Sequence, residues 1–232
     1  MVYFGHIIHP LFVQIILDVR FIVMPIEINH SDEPIRLFKS DFLEFFSHIS
    51  PVTIVVIWLP VAVFFLYRAI ASAGNGFPWF VPIGFLLGLF IWTLTEYTMH
   101  RFVFHFKPHT PMQERISFLF HGVHHAQPQC KTRLVMPLPV SIPLAALFYG
   151  LFYLVLNVIG AGEWTNALFS GFITGYLTYD LIHYATHHFP MRSGYAKFLK
   201  RHHLKHHYKN PLMFFGVSTH GWDIVFHTLP PE

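Results

Sequence analysis

The chain has 232 residues, of which 53% are apolar, 18% aromatic and only 12% charged, a composition too poor in charged surface for a water-soluble domain. Its formal charge of +3 comes from basic residues scattered between apolar stretches rather than gathered in a dense block, which argues against a nucleic-acid partner. The single cysteine, Cys130, excludes an internal disulfide and any iron–sulfur or zinc-finger site held by cysteines of this chain alone.

From the N-terminus, Ile7 to Ile28 is apolar but interrupted by Asp18, Arg20 and Pro25, a pattern that predicts an interfacial helix rather than a span. No basic region precedes it and no small-residue cleavage site follows, so a signal peptide is not expected. Residues 1–50 read as an interfacial and juxtamembrane segment, and 51–232 as one membrane domain. Within that domain four stretches approach the roughly 20 apolar residues that cross a bilayer: Val52 to Ala71, Phe80 to Met99, Leu138 to Ile159 and Trp164 to Tyr184. The links Ser72 to Trp79 and Gly160 to Glu163 are short and turn-rich. An all-α membrane protein of four transmembrane helices in two hairpins follows, with both links on one side.

The remaining segments then share the opposite side. Arg36, Lys39, Arg101, Lys107, Arg115, Lys131, Arg133, Arg192, Lys197, Lys200, Arg201, Lys205 and Lys209 all fall there, whereas the two links contain neither Lys nor Arg. Positive charge retained on one side marks it as cytoplasmic. Arg68, inside the first span, is the exception and is expected to snorkel.

Histidine is the outlier, with 19 residues concentrated between His100 and His207. The clusters are His100 with His105; His121, His124 and His125; His183, His187 and His188; and His203, His206 and His207. Residues three or four apart share a helix face, the spacing that helix-borne metal ligands need. All four clusters fall at or beyond the cytoplasmic ends of spans two and four, so they converge on one membrane face beneath a histidine-rich helical cap. Two ions with four or five ligands each would use about eight to ten donors.

Imidazole suits iron, copper, zinc or nickel, so ligand type alone does not choose. An oxygen-activating site beside a bilayer favours iron, although zinc binds such ligands well and can occupy the site in a preparation. Glu96, four residues before His100, and Asp180, three before His183, are placed to accept an imidazole N–H and fix its tautomer. Both lie inside apolar spans, where a carboxylate needs a partner.

These clusters, together with Glu96-Tyr97, His124-His125-Ala-Gln-Pro128, Arg133-Leu134-Val135, Asp180 and Trp222-Asp223-Ile-Val-Phe226, carry a resemblance to the fatty acid hydroxylases of the fatty acid 2-hydroxylase type, in the membrane desaturase/hydroxylase superfamily. It runs from about Arg36 to Leu229. The resemblance implies a monooxygenase of lipid metabolism in which a cytoplasmic cap holds two iron ions. Such an enzyme uses O2 and two electrons to hydroxylate C2 of a fatty acyl chain, usually one belonging to a sphingolipid. It carries over the eleven clustered histidines as candidate ligands. It also implies an endoplasmic reticulum membrane if the source is eukaryotic and the cytoplasmic membrane if bacterial.

Two departures stand out. Cys130 occupies a position that is commonly acidic in related sequences, and His220 and His227 flank the Trp-Asp stretch. No cytochrome b5 domain is evident, so electrons are expected from a separate cytochrome b5- or ferredoxin-type donor with its reductase. Another oxygenase of the superfamily, acting on sterols or carotenoids, stays open. A membrane metal transporter or sensor is a remote alternative, disfavoured because the ionisable residues gather at one face instead of running through the midplane.

For other residues the expectations are plainer. Phe102, Phe104, Phe118, Phe120 and Trp222 are candidates to line an acyl groove, with packing as the default. His6, His9 and His48 read as ordinary packing or surface residues. His109, His202, His220 and His227 read as lying near the site without ligating, and the basic run Lys197 to Lys209 as contacting lipid phosphates.

Overall fold

The computed structural model describes residues 28–72, 74 and 78–230; the expected interfacial helix before Ile28, with His6 and His9, lies outside them. The described residues form helices and loops, with no strand.

Helix α1, Asp41–Phe46, is capped by Ser40, whose side chain accepts from the Leu43 amide. Helix α2, Pro51–Ser72, begins at a proline preset for the first helical position, with Ser50 Oγ accepting from the Thr53 amide at 3.1 Å. Helix α3, Phe80–Thr98, runs into a wider π-helical stretch, Met99–Phe104. Helix α4, Pro111–Ser117, opens with a reciprocal cap: Thr110 accepts from the Gln113 amide, and Gln113 Oε1 accepts from the His109 amide. A second π-helical stretch, Phe118–Gly122, leads to α5, Val123–Ala126. The remaining helices are α6, Leu138–Val158; α7, Thr165–His188; α8, Gly194–Tyr208; and α9, Gly221–Val225.

Three of these helices, α2, α3 with its π-helical extension, and α6, are long and apolar enough to cross a membrane. Their outward faces expose Val56, Phe64, Leu86, Phe90, Leu147 and Leu154, side chains suited to lipid. Helix α7 has 24 residues, about 36 Å at the standard rise, and so has the length. Its apolarity falls short because it faces protein: Ser170, Gly171, Gly175, Tyr176, Tyr179, Asp180 and His183 are all buried on it.

The packing of α7 explains this composition. A Cβ added at Gly88 would lie 2.0 Å from the Leu168 carbonyl oxygen, and one added at Gly171 would lie 1.9 Å from that of Phe85, so α3 and α7 touch backbone to backbone. Ser170 Oγ donates to the Ala62 carbonyl at 2.8 Å, tying α7 to α2 as well. Around these contacts Trp58, Trp92, Phe169, Phe172, Ile173 and Tyr176 form the main apolar core. At the opposite end of the bundle from the histidines, Ala69, Val81 and Ala167 close a smaller cluster.

Residues 28–50 lie across the loop that follows α5. The Asn29 amide donates to the Ala126 carbonyl, Gln127 bonds Ile35 and Glu33, and the Ile49 amide donates to Thr132. The buried Arg133 side chain donates to the Ile35 carbonyl and to Glu44, each at 2.7 Å. Glu44 in turn accepts from the Leu37 and Phe38 amides and bonds His48. This strap fixes the chain immediately after His124 and His125.

Candidate metal centre

Histidines from α3 and its π-helical extension, from α5 and the turn before it, from α7 and from α8 gather at one end of the bundle. They form two groups of five, in each of which the ligand atoms lie within 4.8 Å of one another: His100, His105, His121, His125 and His206; and His124, His183, His187, His203 and His207. Ten of the eleven clustered histidines are therefore brought together. His188 belongs to neither group and packs against Tyr184 with ring centroids 4.6 Å apart.

Local backbone geometry produces this convergence. His100 and His105 are five residues apart, a spacing that an α-helix would splay. In the π-helical turn the His105 amide bonds the His100 carbonyl, and the two rings come within 5.1 Å. Such widened turns recur at functional sites. On α5 and α8 neighbouring histidines part company: His124 and His125 join different groups, as do His206 and His207.

The tautomers follow from backbone carbonyls. His100 Nδ1–H donates to Phe215 O at 2.5 Å and His206 Nδ1–H to Met213 O at 2.7 Å, leaving each Nε2 as a lone pair. Those lone pairs face His121 Nε2 at 3.1 Å and His105 Nε2 at 2.9 Å. In the second group His183 Nε2 faces His124 Nε2, and His187 Nε2 faces His203 Nε2, each pair at 2.9 Å.

Burial keeps the imidazoles neutral. It pushes His105 down to about 3, His125 to about 2 and His206 to about 4, with neighbouring imidazoles adding to the effect at His105 and His125. His121, His124, His203 and His207 are depressed for the same reason. His125 Nε2 and both ring nitrogens of His207 are buried with no hydrogen-bond partner. Unprotonated lone pairs aimed at one another, beside buried nitrogens that lack a protein partner, fit two soft-to-borderline cations.

Neither predicted supporting carboxylate binds an imidazole. Glu96 Oε1 accepts from the Val217 and Ser218 amides, both at 2.8 Å, and Oε2 accepts from the Ser218 hydroxyl. Those donors meet the need for an intramembrane partner and leave no reason to reach His100. Glu96 instead pins the loop whose Phe215 carbonyl orients His100, so it acts one step further out. Asp180 accepts from the Met136 amide at 3.4 Å and faces Tyr176 rather than His183.

The carboxylate nearest the ligand helix is one that sequence spacing did not single out for this role. Asp223, completely buried, accepts from His202 Nε2, from the Phe215 and Gly216 amides and from the Thr228 hydroxyl. Burial alone would raise its pKa, but these donors outweigh it and hold Asp223 below the ordinary carboxylate value. His202 thus supports the site without joining either group.

Among the aromatics expected to line a groove, Phe104 stacks on His121 at 5.3 Å, while Phe102 and Phe120 are exposed. Trp222 packs on Phe90 and donates its indole N–H to Thr93. Phe215 is the aromatic at the centre of the first group, within 5.7 Å of the His100, His105 and His206 rings. Below the second group, a narrow crevice between α3, α6 and α7 is lined by Trp92, Met136, Leu144, Ala145, Phe172 and Tyr176.

An apolar helical bundle ending in two all-imidazole groups, each able to hold a metal ion, fits a membrane oxidoreductase. The fatty acid hydroxylase family model matches residues 85–228, and the chain belongs to that family. It is 40% identical to a dihydroceramide fatty acyl 2-hydroxylase of Arabidopsis thaliana, over 84% of this chain and 80% of that protein. It is 39% identical to the fatty acid 2-hydroxylase of Rattus norvegicus, over 86% of this chain and 58% of that protein. It is 44% identical to a ceramide very long chain fatty acid hydroxylase of Schizosaccharomyces pombe, over 76% of this chain and 50% of that protein. A solved structure described as full-length Scs7p with only the hydroxylase domain visible superposes with a TM-score of 0.76 at 37% identity, covering 84% of this chain and 72% of that one. The chain thus spans about half the length of the rat and fission-yeast relatives and most of the plant one.

Proposed function

We propose that this protein is a di-iron membrane hydroxylase that installs a hydroxyl at C2 of a fatty acyl chain, free or sphingolipid-linked. One observation carries the reading: two adjacent groups of five neutral imidazoles at the end of an apolar bundle. The named activities of its relatives, acyl 2-hydroxylases acting on dihydroceramide or ceramide chains, support the choice of substrate class. In this reading the ten grouped histidines hold the two ions, and the iron pair supplies the activation of O2. Each turnover consumes one O2, two electrons and two protons; one oxygen atom enters a C–H bond and the other leaves as water.

The chain's own residues have three tasks. The carbonyls of Phe215 and Met213 hold protons on Nδ1 of His100 and His206, presenting Nε2 to the ions. Phe104 and Phe215 wall the first group against water. The crevice between α3, α6 and α7 has the apolar lining an acyl chain needs, and it must widen to admit one. With α7 as the fourth span, both hairpin links lie on one side and the metal centre is cytoplasmic.

The test is expression with a reductase system, followed by mass spectrometry of hydrolysed lipids under 18O2. The expected product is a 2-hydroxy acid carrying one 18O atom. A 2-hydroxy acid without the label would rule out oxygenation by this protein.

A further inference from the structure

Helix α8 has two chemically opposite faces. His203, His206 and His207 are buried on one; Lys197, Arg201, Lys205 and Lys209 recur every four residues on the other and are exposed. At 3.6 residues per turn the basic row lies about half a turn from the ligand face. The helix contains no Asp or Glu, and none of the four cations has an ion-pair partner among the described residues. Only Lys205 has a local use, over the Phe214 ring at 5.5 Å.

The placement of this row gives it meaning. Helices α3 and α7 bring His100 and His183 from the bundle, and α8 meets those histidines with its inner face, so the basic row points away from the bundle. A molecule seated on it would be separated from the metal groups by the thickness of one helix, about 10 Å. The hydroxylation proposed above consumes two electrons for each turnover, and a redox protein has to deliver them to the metal groups. We infer that the Lys197–Lys209 row is the docking surface for an acidic one-electron redox protein, which is oxidised twice per hydroxyl installed. This inference rests on the hydroxylase reading. A row aimed away from the apolar bundle fits an acidic protein better than it fits lipid headgroups, against the expectation from sequence.

The test uses the full chain in nanodiscs and the soluble, acidic haem domain of cytochrome b5 as probe. Wild-type protein is compared with the K197Q/R201Q/K209Q variant, which leaves Lys205 and every histidine in place. Kd for the probe is expected to weaken about tenfold in the variant and, in wild type, to weaken as salt rises. Hydroxylation driven by dithionite is expected to be equal in the two. An unchanged Kd overturns the docking surface. So does a difference in Kd between the two proteins that appears only in nanodiscs containing phosphatidylserine, since that makes the row a headgroup contact. Absence of product from wild type under dithionite sinks the hydroxylase reading itself, whatever the affinities.

Discussion

Asp223 accepts a hydrogen bond from His202 Nε2 at 2.9 Å while fully buried. The same carboxylate receives the Phe215 and Gly216 amides, so it joins α8 to the loop whose carbonyl orients His100. In Asp223→Asn the new amide sets a donor against the donors at Oδ2. The expected loss is about 3 kcal/mol of stability, from the unmet buried groups, read by thermal or denaturant unfolding in detergent. A variant as stable as wild type would contradict the assigned link.

Adjacent residues on α5 serve different groups, so His124→Ala and His125→Ala should each lower bound metal by at least about one ion per chain, as ligand loss weakens one site directly and the other through the shared segment. Product formation should vanish in both. Metal analysis of the purified variants decides this, and full occupancy with retained activity would remove these residues from the ligand set.

Acid should loosen the strap. Partial burial pushes the Glu44 pKa up, but hydrogen bonds from Phe38 and His48, the charge of Arg133 and the Leu37 amide together pull it below its ordinary 4.5. A carboxylate lowered in this way stabilises the fold fully above its unfolded pKa, and that contribution is lost as pH falls through the folded value. Amide exchange at Leu37 and Phe38 should therefore accelerate below about pH 4.5, as the unfolded-state value requires. In Glu44→Gln the exchange should be fast at neutral pH and lose this acid step.

The contact between α3 and α7 should tolerate no side chain. Gly88→Ala would drive a methyl group into the Leu168 carbonyl, and Gly171→Ala into that of Phe85; overpacking of this kind typically costs about 1–3 kcal/mol, occasionally more. Gly150, where an added Cβ meets nothing within 4 Å, is the control. Size-exclusion profiles and melting temperatures should separate the first two variants from the third.

Much of this architecture was legible in the sequence because its determinants are periodic. The apolar runs gave α2, α3 and α6 within a residue or so of their observed bounds, and histidines at helical spacing marked most members of both histidine groups. Helix α7 was recognisable by length, although its buried Gly, Ser, Tyr and Asp lower its apolarity. What escaped was set by backbone. The Phe215 and Met213 carbonyls leave no residue signature, and the π-helical turn that brings His105 beside His100 cannot be read from an α-periodic pattern. Glu96 and Asp180 were recognised as needing partners, but proximity in sequence pointed to the wrong ones. The loop amides at Val217 and Ser218, more than a hundred residues away, take Glu96 instead.

The alternation of His124 with His125, and of His206 with His207, bears on how the enzyme is assembled. Because each of these two short segments reaches into both nests, the seating that completes one cage also brings the neighbouring ligand into place in the other. Loading is therefore expected to be concerted: capture of a first ion seats the two segments and raises affinity for the second, so that half-filled enzyme stays scarce during titration.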